Sequence, residues 1–190
     1  LNSHAGSIIR INLDGSVPEN PFETELNEIY MIGVRNPQGM ALSKEGELLI
    51  SNHGAKGGDF IGEVEAGSNY GWNEIGWGGT NYTFTKIGDG SSFKEEFKYP
   101  LLSWVPSIAP SDLIFYYGNE FPDWNGDILV TSLKYKLLIK IDYQNGNILN
   151  NQIIFKDEIG RLRDVDINSE GEIFIITDES NSSIWKLTSN

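Results

Sequence analysis

At 190 residues, with 5 Trp, 8 Tyr and 9 Phe, the chain carries enough apolar material for one sizeable core, which excludes a disordered segment. Its 27 acidic and 14 basic residues leave a net charge of −13, a surface that repels nucleic acid and anionic lipid. Zero Cys and only 2 His exclude thiol redox chemistry, Cys-ligated zinc and a multi-His metal site.

Hydrophobic spacing is that of strands throughout, in short β-branched or aromatic runs bounded by Gly, Asn, Asp or Pro. The longest runs, such as Ile173 to Ile176, are too short to span a bilayer, so no membrane insertion is expected. No secretory leader is read in the first residues, and a strand phrase from Ser7 to Ile11 closes on Asp14-Gly15. Arg35-Asn36-Pro37-Gln38-Gly39 reads as a turn before a strand; its Arg and Asn offer donors for carboxylates and carbonyls, or simply face solvent. A turn-and-strand phrase runs from Glu45-Gly46 to Ser51, followed by the Gly-rich loop Asn52 to Asp59. Backbone carbonyls freed there can ligate a hard cation, or the loop can be a plain hairpin. Asn69-Tyr70-Gly71-Trp72 opens an irregular stretch up to Pro100, read as a long insertion on one face.

Trp104 to Ser111 holds two Pro, which stiffen an extended segment and can set a Trp face against a ligand ring or into the core. Asn125-Gly126 opens a second turn-and-strand phrase, ending at Ser132-Leu133-Lys134, where the Lys projects into a mouth or into solvent. Leu138 to Gly146 echoes the first strand phrase. Arg161-Leu162-Arg163-Asp164 sets two guanidinium groups on one side of an extended segment. They need an anion between them, from a ligand or from a neighbouring acid. Glu170-Gly171 starts a third turn-and-strand copy, and Ser183 to Leu187 is a shortened copy of the other phrase.

Gly46 to Gly126 spans 80 residues, read as two periods; Gly126 to Gly171 spans 45; and Gly15 to Gly146 spans 131, read as three. Repetition at about 40–45 residues with several short strands per unit is the mark of propeller blades. The length holds a little over four of them, as a small closed ring or as an open piece of a larger one. Three Arg, an Asn and a Lys on separate loops of an acidic chain describe a pocket for a flat anion.

The phrases Gly6 to Asn12, Arg35 to Gly39, Asn69 to Trp72, Pro106 to Ser111, Ser132 to Lys134 and Arg161 to Val165 stand in an order and spacing that resemble one family. It is that of the soluble pyrroloquinoline quinone (PQQ)-dependent aldose sugar dehydrogenases and quinoprotein glucose dehydrogenases. The resemblance implies an all-β propeller, about four blades of a six-bladed ring, forming one incomplete domain over residues 1–190 without its N-terminal blades. It further implies an enzyme that oxidises aldose sugars to lactones with PQQ and Ca²⁺, works in the periplasm or outside the cell, and hands electrons to a separate acceptor.

Carried over position by position, it puts Arg35 and Asn36 beside the quinone carbonyls as catalytic groups. Tyr82, Trp104, Ser107, Ser132, Leu133, Lys134, Arg161, Leu162 and Arg163 become cofactor contacts, with Lys134 and the two Arg on its carboxylates. Gly54 and Ala55 become backbone ligands of Ca²⁺, and Tyr70 a backbone ligand at a second calcium site. That second site departs from the family at Phe60, where an acid is expected; Asp59 and Glu63 are poorly spaced to replace it. The family's general-base His lies ahead of Gly6, and neither His4 nor His53 matches it. Alone, the chain is therefore expected to be inactive, poorly stable, and prone to associate with a complementary N-terminal segment or as a homodimer. A Ca²⁺-dependent propeller lactonase and a non-catalytic binding module are the alternatives.

Overall fold

A computed structural model describes residues 2–189. Strands β1 (Ser7–Ile9) and β2 (Ile29–Ile32) form a two-stranded sheet. A four-stranded sheet follows, from β3 (Pro37–Leu42), β4 (Leu48–Asn52), β5 (Asp59–Glu63) and β6 (Leu102–Trp104). The next has β7 (Pro110–Phe115), β8 (Ile128–Ser132), β9 (Leu137–Gln144) and β10 (Asn147–Lys156). The last has β11 (Leu162–Ile167), β12 (Ile173–Thr177) and β13 (Ile184–Leu187). Each sheet is an antiparallel meander, and the first strands β3, β7 and β11 of successive sheets pack against one another. This is an all-β propeller of four blades in an incomplete ring. No helix among the described residues is long and apolar enough to cross a membrane.

Alternation along the strands explains why the blades stack. On β4, Leu49 packs towards the third sheet with Leu113, Val130 and Ile139, while its neighbour Ile50 packs the other way with Met31, Phe60 and Tyr70. On β8, Ile128 and Val130 face the second sheet, while Leu129 joins Leu162, Val165 and Ile173 of the fourth. Successive residues of a strand point to opposite faces, so a blade between two neighbours must be apolar on both. The unbroken runs in the sequence are that requirement. Each fully buried Leu or Ile of this kind stabilises the fold by roughly 1.5–3 kcal/mol.

The three turn-and-strand phrases are the second strands, β4, β8 and β12, of three successive blades. Gly46 and Gly126 thus lie one blade apart, where the sequence spacing suggests two. The excess is the connection from β5 to β6, which contains no further blade. It is a folded insertion: Tyr70, Ile75, Trp77, Ile87 and Phe97 are all buried. By the same correction, Gly15 and Gly146 lie two blades apart, following the third strands β1 and β9. Their place in the blade order makes β1 and β2 the outer strands of the first sheet.

Each inner strand bulges at the same point. Residues Gln38, Ser111 and Arg163 are the extra residues where the register shifts between Pro37 and Gly39, between Pro110 and Asp112, and between Leu162 and Asp164. Bulges re-aim side chains beside functional sites, and here three of them ring one end of the propeller.

Candidate active site

At that end, Pro37 pairs with Asn52, Pro110 with Ser132 and Leu162 with Thr177. The loops that follow β4 and β8 and those that precede β3, β7 and β11 therefore open on one face. These loops and the strand ends beside them carry Arg35, Asn36, Gly54, Ala55, Ser107, Ser132, Leu133, Lys134, Arg161, Leu162 and Arg163. Trp104 closes β6 opposite Asp59 at the same end, half-buried against the core.

Arg35 and Asn36 are fixed through Asn52, whose Oδ1 accepts both their backbone N–H groups at 3.0 Å. Asn36 returns a bond, its carbonyl accepting the His53 amide at 2.9 Å. The Arg35 guanidinium lies over the rings of Trp72 at 5.5 Å and Tyr82 at 5.6 Å. Its Nη1 donates to the carbonyls of Gly54 at 2.8 Å and His53 at 3.2 Å. No carboxylate pairs with Arg35 among the described residues. Tyr82 leaves 61% of its surface exposed, presenting its ring from the insertion beside Arg35.

Beneath this loop, Asp59 is completely buried and accepts four hydrogen bonds. They come from Gly54 N at 2.8 Å, Ser107 Oγ at 2.7 Å, Ile108 N at 2.7 Å and Ala109 N at 2.8 Å. One carboxylate thus ties the Gly-rich loop to the segment ahead of β7. Ser132 Oγ donates to the Ile108 carbonyl, and Leu133 N to Ala109 O at 2.9 Å, so the loop that presents Lys134 hangs from the same segment. Lys134 is exposed, with the Tyr135 ring 4.8 Å from its Nζ and no acid beside it among the described residues.

Arg161 and Arg163 both reach one carboxylate oxygen, Asp178 Oδ2, which Arg161 meets at 3.0 Å. Arg163 also donates to Gln38 Oε1 at 3.4 Å, bringing two bulge residues together from the second and fourth blades. The hydrogen bond from Arg163 holds Asp178 below the ordinary carboxylate range. Leu162 is buried between the two Arg.

His53 sits among these groups. Burial is the main cause that lowers its imidazole below 6.5; Asp59 opposes the shift, while Arg35 and Arg163 add to it. Gln38, which accepts from Arg163 and donates to Asn36 Oδ1 at 2.9 Å, ties Arg163 to the Arg35–Asn36 turn. His4 lies elsewhere, hydrogen-bonded to Glu28 at 2.6 Å.

A model of the glucose / sorbosone dehydrogenase family matches residues 1–186. The chain belongs to the glucose / sorbosone dehydrogenase family. It is 32% identical to an aldose sugar dehydrogenase, YliI, of Escherichia coli K12, over 99% of this chain and 52% of that protein. A crystal structure of a glucose dehydrogenase superposes with a TM-score of 0.91 at 29% identity, covering 97% of this chain and 55% of that one. The PQQ-bound aldose sugar dehydrogenase of Streptomyces coelicolor superposes with a TM-score of 0.75 at 25% identity, covering 98% and 53%. The chain spans about half the length of these relatives.

For a flat polycarboxylate such as the cofactor held by the Streptomyces member of the glucose / sorbosone dehydrogenase family, the donors fit. Lys134 has no acid partner, Arg161 and Arg163 share a single carboxylate oxygen, and two guanidinium groups have more N–H donors than that oxygen can accept. For calcium, the donors as arranged do not fit. The Gly54 carbonyl is taken by the Arg35 cation and the Tyr70 carbonyl accepts the Trp77 indole N–H at 2.9 Å. Phe60 stacks on Tyr70 with centroids 4.8 Å apart, and Glu63 pairs with Lys98 at 2.7 Å. Asp59, the other acid nearby, spends both oxygens on the bonds described above.

Asn52, Gln38 and Asp178 carry no site role in the sequence, where Asp59 counts only as a poorly spaced calcium ligand and Trp72 only within the aromatic phrase Asn69 to Trp72. The signal for Asp59 was its place after Gly57-Gly58; that for Gln38 was its equivalence to Arg163 once the blades are aligned. Asp178 gave none, being one acid among 27.

Proposed function

We propose that this chain contributes the cofactor-holding half of a PQQ-dependent dehydrogenase that oxidises aldose sugars to lactones. The observation that carries the reading is the cationic face itself. In a chain of net charge −13, Arg35 and Lys134 stand without acid partners and Arg161 and Arg163 divide one carboxylate, all at one end of the ring. A pocket that keeps positive charge unneutralised in an acidic protein is built for an anion.

When bound, PQQ supplies a quinone that takes two electrons from the sugar. Lys134, Arg161 and Arg163 would hold its carboxylates, with Trp104, Ser107, Ser132, Leu133 and Leu162 walling the mouth. Asn52 holds the backbones of Arg35 and Asn36, so the side-chain donors these two residues have left would meet developing negative charge with little reorganisation. Trp72 and Tyr82 keep Arg35 flat and exclude water. The hydroxyl proton of the sugar is assigned to a base outside residues 1–190: His4 is on Glu28, and His53, whose backbone is held by Arg35 and Asn36, does not match the family's base motif. Calcium at Gly54 and Ala55 requires Arg35 first to release the Gly54 carbonyl, and it carries no step here. The reading extends to a periplasmic or secreted setting and a separate electron acceptor, supported by kinship with the soluble sugar dehydrogenases alone. The lactonase alternative calls for a carboxylate-rich centre, and no group of three or more His, Cys, Asp or Glu that could hold a metal occurs among the described residues.

The test is dye-linked oxidation of aldoses by the chain joined to the N-terminal portion of an aldose sugar dehydrogenase, with and without PQQ. Sugar-dependent dye reduction that requires PQQ, and that falls at least tenfold in Arg35→Ala, supports the assignment. PQQ binding without turnover on any aldose contradicts it and favours a binding module.

A further inference from the structure

Immediately after their bulges, the three inner strands carry Gly39 on β3, Asp112 on β7 and Asp164 on β11. Equivalent positions in successive blades lie at one level beside the ring axis, so these three residues are neighbours by construction. Gly39 makes the space: a Cβ there would come within 2.6 Å of Asp112 Oδ1 and 2.5 Å of Leu113 N. Asp112 is partly buried and reaches from β7 to β11, its Oδ2 accepting the Val165 amide at 3.2 Å. Asp164 Oδ1 accepts the same amide at 3.0 Å, so the two carboxyl groups converge on one N–H although Asp164 itself is exposed. Two ionised carboxylates brought together in this way repel, and a proton kept on Asp112 turns the repulsion into attraction.

The surroundings offer no other charge. Strands β3, β4 and β8, which pack on β7, have no titratable side chain anywhere in their ranges. On β11, Arg163 is turned to Asp178 and Gln38, and Asp166 accepts the Ile167 amide at 2.8 Å. Asp164 is thus the one charged group that faces Asp112 among the described residues. Burial first, and the hydrogen bond with Asp164 second, push Asp112 up to about 7.

We infer that Asp112 and Asp164 form a proton-sharing latch that fastens inner strand β7 to β11, and that losing the shared proton loosens β11 and displaces the Arg161–Arg163 arm it carries. This goes beyond the cofactor reading and does not depend on it. The sign follows from linkage: a carboxyl raised in the folded state disfavours folding once ionised. Its penalty is absent below the unfolded value of about 3.9, grows as pH rises, and is complete above about 7.

The experiment is a carboxyl ¹³C NMR titration of the chain labelled at Asp, with the Arg163 Nε–H shift followed in parallel and thermal melts of wild type and Asp112→Asn compared over the same pH range. One of the two carboxyls is expected to titrate near pH 7, with the Arg163 shift following the same midpoint. Asp112→Asn abolishes both, and its melting temperature exceeds that of wild type by a gap that opens above about pH 4 and levels above about 7. Should Asp112→Asn not fold, Asp164→Asn decides: the Asp112 midpoint must then move down in pH. Both carboxyls titrating in the ordinary range, an Arg163 shift blind to the transition, or an Asp112 midpoint unmoved in Asp164→Asn each overturns the latch.

Discussion

Asp59 shows how one side chain can hold a functional face together. Its carboxylate satisfies four donors from two loops with no water-accessible surface of its own. Removing it leaves those donors buried and unpaired, each costing about 1–3 kcal/mol. Asp59→Ala should therefore destabilise the chain by more than about 3 kcal/mol in a urea melt, and Asp59→Asn by less, since one acceptor oxygen remains. His53 gives a pH prediction at the same scale. Its folded value lies below 6.5, so the unfolded chain takes up the proton first and stability is lost as pH falls through and below about 6.5. With only His4 and His53 in the chain, two imidazole C2–H resonances report this directly. The His53 resonance titrates below 6.5, and His53→Gln removes that acid-side slope. The roles of such residues were only partly legible in the sequence. Arg161 and Arg163 announced themselves by their two-residue spacing, but Asp178, which balances them, comes from the far end of β12 and has no local mark.

At the scale of elements, the strand phrases are strands in the structure because their turn residues and apolar runs are local properties; their places as second and third strands come only from the sheet order. Blade spacing did not follow, since the insertion between β5 and β6 adds length without adding strands, and a count of residues cannot separate the two. The bulges were equally hidden: a register shift depends on the partner strand. Gly39 is where this matters most, because β7 leaves no room for a Cβ there. Gly39→Ala sets a methyl against Leu113 N at 2.5 Å and Asp112 Oδ1 at 2.6 Å, both in a packed interface between inner strands. Overpacking of this kind costs about 1–3 kcal/mol, and the melt should show it. A loss under about 0.5 kcal/mol, within the range of a surface substitution, would mean that the inner strands are looser than described.

Over the whole molecule, the third blade is covered on both faces. The two-stranded first sheet, by contrast, leaves Met40 and Leu42 on neighbouring β3 49% and 63% exposed, and the outer end of the arc leaves Ile176, Ile184 and Trp185 of the last blade 41%, 71% and 43% exposed. Apolar surface of that extent, beside unpaired strand edges, favours association. The isolated chain should bind a hydrophobic dye, melt at a temperature that depends on concentration, and elute above its monomer mass of 21.2 kDa. A cooperative, concentration-independent monomer would contradict this. Composition, repetition and motif order made the fold class and the family readable in advance. Which loops share a face is a property of the closed arc, and it emerges only when the blades are stacked.

The central claim is that Lys134, Arg161 and Arg163 act on one ligand. Titration of the chain with PQQ, followed by quinone absorbance, tests it most directly. The account predicts saturable one-to-one binding that weakens with salt, with each of Lys134→Ala and Arg163→Ala raising Kd about tenfold, near 1.4 kcal/mol. Binding that is absent, or equally tight in a variant lacking all three cations, would contradict it.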